Sequence, residues 1–121
     1  MADYTPKFKP GQAVTFTAST DVTGGRLVQV TGARTVGPAG VDSAAVVGVA
    51  GFDAKAGERV TVFTRAGGVQ RLTASGAIAA GVNVSSAAAG KIQTIGATVN
   101  PIGLALEAAT ADNDVIDVLF I

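Results

Sequence analysis

The chain has no cysteine, no histidine and no tryptophan. Without cysteine there is no disulfide framework, thiolate nucleophile or Cys-based metal site. Without histidine the commonest general base and metal ligand is missing. Charged residues make up 15% of the chain, against about 25% in an ordinary globular domain. Neither sign is in excess, since nine Lys and Arg balance nine Asp and Glu. The basic residues stand singly and without interleaved aromatics, so the footprint of direct nucleic-acid binding is missing. The longest apolar run, Ala44–Phe52, is far short of a membrane span. The opening MADYTPKFKP lacks the apolar core of a signal peptide. These absences predict a protein of an aqueous compartment, with neither nucleic acid nor membrane as a direct partner.

What is present is small and apolar. Hydrophobic residues reach 48% with aromatics at 5%, and there are 16 glycines. At 121 residues this describes one domain of short strands and tight corners. The reading is all-β: a compact small barrel with Gly-rich corners, residues 11–121, preceded by an extended N-terminal arm, residues 1–10. The stretch from Gly57 to Gly90 organises it, with strand-like runs at Arg59–Arg65, Val69–Thr73 and Val82–Ser85. Val60 and Val62 flank Thr61, and Val82 and Val84 flank Asn83, the period of a strand with one buried face. Gly67–Gly68 separates the first two runs, and Ser75–Ala80 has room for one helical turn. Ala13–Ala18 alternates as a strand, and Arg26–Thr31 returns beyond Gly24–Gly25 as its expected hairpin partner. An extended piece surrounds Arg34–Val36. Val46–Val49 is a short apolar, β-branched-rich run, as in a strand buried on both faces. Further strands are expected at Lys91–Ile95, at Pro101–Leu106, where Ile102, Leu104 and Leu106 alternate with Gly103 and Ala105, and at Asp114–Ile121. A weak internal echo links Gly48-Val-Ala and Arg59-Val-Thr-Val with Gly103-Leu-Ala and Val115-Ile-Asp-Val. With about fifty residues per unit and two units, it fits two hairpin-like halves closing one barrel or sandwich rather than a solenoid.

No catalytic constellation emerges. Ser43, Ser75, Ser85 and Ser86 have no histidine partner and no nucleophile-elbow context. Asp112, Asp114 and Asp117 lack the Gly and terminal Glu of a calcium loop and read as a solvated acidic loop. Gly90-Lys91 is preceded by Ser85 and followed by Ile92 where a phosphate loop needs Gly and Ser or Thr. Asp53, Lys55 and Glu58 read as a solvated turn. A ligand pocket would draw on Arg65, Arg71 and Asp117. The expectation is no enzyme, no cofactor and no metal.

Two segments look made for contact. In the arm, Pro6 and Pro10 exclude a helix, and Tyr4, Lys7, Phe8 and Lys9 are presented between and beside them. They are candidate partner contacts, set against Tyr4 and Phe8 folding back onto the core. At the other end, Val115, Ile116, Val118, Leu119, Phe120 and Ile121 form a terminal apolar strand that is either sealed in the sheet or paired with a neighbouring subunit. All nine basic residues lie in residues 1–100, whereas Glu107, Asp112, Asp114 and Asp117 fall in the last 21.

Three segments, YTPKFKPGQAVTFTAS (4–19), VVGVAGFDAKAGERVTVF (46–63) and GGVQRLTASGAIAAGVNVSSAAAGKI (67–92), followed by PIGLALEAA (101–109), resemble a family of small capsid decoration, or head-stabilising, proteins of tailed phages, most of all those infecting actinobacteria. The resemblance covers nearly the whole chain through Gly/Ala/Val patterns and carries no catalytic residues. It implies a β-barrel or β-tulip-like protein made in the host cytoplasm. It would trimerise on the outside of the mature shell, bound to the major capsid protein over capsomer junctions. On that reading Tyr4, Lys7, Phe8 and Lys9 are the expected capsid contacts and Val115–Ile121 the core or trimer seam. The alternatives are another virion component, such as a tail or fibre-base module, and a small-molecule-binding β-barrel.

Overall fold

The computed structural model describes residues 4–9, 11–65, 68–97 and 99–121, and it is all-β. Five strands, β1 (Ala13–Ala18), β2 (Leu27–Gly32), β3 (Thr35–Pro38), β4 (Val46–Ala50) and β5 (Arg59–Thr64), close a barrel in the order β1-β3-β2-β4-β5. Five more, β6 (Val69–Thr73), β7 (Asn83–Ser86), β8 (Ile92–Thr94), β9 (Gly103–Ala105) and β10 (Val115–Phe120), form an open sheet in the order β6-β10-β9-β7-β8. A 3-10 turn at Ala88–Gly90 leads into β8.

The two halves are one structure built twice. Phe16 pairs with Val60 between β1 and β5, and Leu72 pairs with Ile116 between β6 and β10, each residue 56 positions after its counterpart. The corner contacts repeat as well. Val22 bridges Ala54 in the first half and Ile78 bridges Ala109 in the second. The amide of Gly25 donates to the Ala50 carbonyl, and that of Gly81 to the Ala105 carbonyl. The internal echo in the sequence is therefore the trace of a repeat spanning both sheets, with a longer period than about fifty.

One difference separates the halves. In the first, β1 and β3 pair in parallel (Thr17 with Thr35, Ala18 with Val36) and seal the barrel. In the second, a single parallel bridge, Ala74 to Ile92, joins the corresponding edges. The inner face of that sheet is covered from outside instead. Leu27, Ala39, Val46 and Val49 of the first half pack with Leu72, Val84, Ile92, Ile102, Ile116 and Val118 in one apolar cluster. A separate cluster, including Phe16, Val28, Val36, Val60 and Val62, fills the closed barrel. Each fully buried Val, Leu or Ile contributes roughly 1.5–3 kcal/mol by leaving water. β4 serves both clusters, with Val46 and Val49 facing the second sheet and Val47 packed against the barrel interior, so its unbroken apolar run is explained.

Several expectations change. β1 and β2 are not a hairpin: β3 lies between them, and the hairpin is β2–β3. Nor do β5 and β6 pair. β5 ends at Thr64 in the barrel and β6 begins at Val69 in the open sheet, and Gly67 lies outside the described residues. Ser75–Ala80 makes no helical turn, because Ile78 is held in the extended bridge to Ala109. In β9 the inward residues are Gly103 and Ala105, whereas Leu104 is half-buried and Leu106 exposed. Ile102, just before the strand, is fully buried.

Candidate partner-binding surfaces

Arg34 is the most unusual residue on the barrel surface. Its backbone is left-handed, with φ 57°, a conformation uncommon for a residue with a Cβ. The equivalent residue of the second half is Gly90, also left-handed with φ 74° and free of that cost. The Arg34 guanidinium lies 5.1 Å from the ring centroid of Phe16 and 5.6 Å from that of Phe8, within cation–π range, and it donates to the Thr15 carbonyl. Thr15, Phe16, Thr17, Arg34 and Arg59 line a cleft of about 230 Å³. Register brings them together, since Thr17 of β1 pairs with Arg59 of β5 on one side and Thr35 of β3 on the other.

The arm is tied to this cleft. Phe8 folds back to meet Arg34 and is 39% exposed, while Tyr4 stands 80% exposed. Lys7 and Lys9 flank Phe8 and are exposed. Residues 1–3 and Pro10 of the expected arm lie outside the described residues. Among the described residues the ion pairs are Lys55–Asp21 and Lys91–Asp112. Lys7, Lys9, Arg34 and Arg59 belong to neither. Sequence reading treated the basic residues as scattered because the topology that gathers Arg34 and Arg59 joins strands far apart in the chain.

The second surface is apolar. β10 is an interior strand of its sheet, between β6 and β9, and its residues divide by face. Ile116, Val118 and Phe120 are buried in the core, whereas Val115, Leu119 and Ile121 are 48%, 37% and 56% exposed. Leu119 pairs with Val69 on one side and Leu104 on the other, making an apolar row across three strands. In the middle of this face Asp117 pairs in register with Arg71. The counterparts of Leu104 and Leu119 in the first half are Val49 and Phe63, themselves a register pair, and Val49 is buried under the second sheet. Phe63, however, is 47% exposed, so in the first half the second sheet covers only the Val49 end of this row.

The remaining polar candidates hold the fold. Arg65 donates to the carbonyls of Val46, Pro101 and Ile121, clasping the barrel to the end of the second sheet. Ser86 donates to the Gly40 carbonyl and accepts from the Ser43 amide. Asp114 accepts from the amides of Thr110 and Ala111 and from the Thr110 hydroxyl. These bonds, the Thr110 amide first, hold its carboxyl below the ordinary value of 3.8 because they stabilise the charged form. Asp21, Asp53, Lys55 and Glu58 border a cleft of about 300 Å³, and each carboxylate there accepts a backbone amide. No group of three or more metal-ligating acidic side chains occurs among the described residues.

No curated protein matches the sequence. Among solved structures, the chain is similar to the crystal structure of the head fiber gp8.5 N base of bacteriophage phi29, with 18% identity and a TM-score of 0.69. That match covers 91% of this chain and 93% of the phi29 chain, a likeness of fold. The family model for phage cement proteins matches residues 8–120, nearly the whole double-sheet unit, and the chain belongs to that family.

Proposed function

We propose that the protein is a capsid decoration protein that binds the outer surface of the assembled phage head as a homotrimer and stabilises the junctions between capsomers. Membership of the phage cement family over residues 8–120 carries this reading. The open apolar row of Val69, Leu104 and Leu119 supports self-association, since a soluble monomer rarely leaves such a patch uncovered. Binding only the assembled lattice stabilises that lattice by linkage, and a trimer adds avidity to modest individual contacts. Neither task needs catalysis. Tyr4, Lys7, Phe8 and Lys9 remain the proposed capsid contacts, and a tailed phage of actinobacteria the proposed source.

The test is the mass of the purified protein in solution, followed by co-sedimentation with expanded capsids of its own phage that lack it. Saturable binding at hundreds of copies per particle, with a trimer in solution or on the shell, is the expected result. A monomer that ignores capsids overturns the reading. A second reading, a module that seats a fibre on the virion, is supported by the fold likeness to the phi29 head fibre base. It predicts few copies per particle.

A further inference from the structure

We infer that the Arg34–Arg59 cleft is an anion-recognition site, and that its occupant is a carboxylate-bearing segment of the capsid protein. The inference rests on the decoration reading above and adds to it which face meets the shell and by what chemistry. The geometry suits a carboxylate. Two arginines border a small cleft between the threonines of β1, and guanidinium groups bind carboxylates through directed, charge-assisted hydrogen bonds. Phe8 and Phe16 lie beside the Arg34 guanidinium, which restricts its rotamers and lowers the ordering cost of binding.

The repeat gives this cleft an internal control. The residues equivalent to Arg34 and Arg59 are Gly90 and Val115 (again 56 positions on), so the second half carries neither cation at these places. At position 34 glycine is the comfortable choice, and arginine is held in a left-handed backbone instead. The Arg34 guanidinium also donates to the Thr15 carbonyl of β1, a tie beside the barrel closure that Gly90 cannot make. Complementarity selects the partner: neither arginine is in an ion pair among the described residues. The acid next to Arg59 in sequence, Glu58, accepts the Lys55 amide. Lys7 and Lys9, both exposed, adjoin Phe8 in the arm, whose ring meets Arg34.

The experiment compares the wild type, R34G/R59T and R34K/R59K in co-sedimentation with capsids lacking the protein, from about 50 to 500 mM salt. Arg34→Gly relieves the backbone and Arg59→Thr suits a strand, so thermal melting checks that the double variant is folded. The expected result is wild-type binding that weakens with salt. R34G/R59T should bind about tenfold or more weakly with a flattened salt dependence, and R34K/R59K should keep the salt dependence. Equal binding by folded R34G/R59T and the wild type overturns the inference and leaves the decoration reading standing. Failure of the wild type to bind at any salt overturns both. Competition by duplex DNA at the same arginines overturns the choice of occupant.

Discussion

Gly48 and Gly103 stand at the same place in the two halves, each against a carbonyl of the next strand. A Cβ on Gly48 would collide with the Phe63 carbonyl, and one on Gly103 would lie 2.7 Å from the Leu119 oxygen and 2.6 Å from Val118 Cγ1. Neither is a corner glycine; each lets two strands approach closely. Gly103→Ala is therefore expected to cost about 1–3 kcal/mol through overpacking. Chemical denaturation should show a lower midpoint with an unchanged slope.

Arg65 makes a different kind of contact, one guanidinium serving carbonyls of both halves. Arg65→Ala should destabilise the protein by about 1–3 kcal/mol, since hydrogen bonds from a charged donor are worth more than neutral ones. Arg65→Lys should recover little, because an ammonium cannot span the same fork. Thermal melting of both variants against the wild type measures this.

Asp114 makes stability depend on acidity. Its folded-state pKa lies below 3.8, so the unfolded chain takes up this proton first as pH falls. The stabilisation is fully present above the unfolded value and is lost as pH drops through the folded one. Melting temperatures of wild type and Asp114→Ala should differ by a constant amount at neutral pH and converge below about pH 4.

The two faces of β10 should respond oppositely to mutation. Ile116→Ala opens a cavity in the shared core and should cost about 2–5 kcal/mol. Leu119→Ser, on the open face, should leave the melting transition nearly unchanged and reduce the assembled mass in solution or on the shell. Light scattering and melting on the same samples separate the two effects.

Much of this architecture was legible locally. The alternation of Val60 and Val62 marks β5, and the apolar Val46–Val49 run marks a strand buried on both sides. What could not be read was which strand meets which. The β1–β3 pairing is parallel and inserts β3 ahead of β2, and no turn residue encodes such a non-local choice. The inward face of β9 also misleads, because close backbone approach at Gly103 outranks the larger side chains of Leu104 and Leu106 in deciding what points inside. The cationic cleft was hidden for the same reason. Arg34 and Arg59 become neighbours through β1, and the left-handed backbone of Arg34 has no signature in its side chain.

The closed barrel and the open sheet also differ in what each needs from the other. β1 to β5 are complete at Thr64 and contain their own apolar interior. The later sheet requires Leu27, Ala39, Val46 and Val49, already in place, to cover its inner face. On the ribosome, where N-terminal units fold first, the first half is a finished template before the second emerges. A circular permutant that began at β6 would reverse this order, leaving an uncovered sheet with two free edges to wait for its lid.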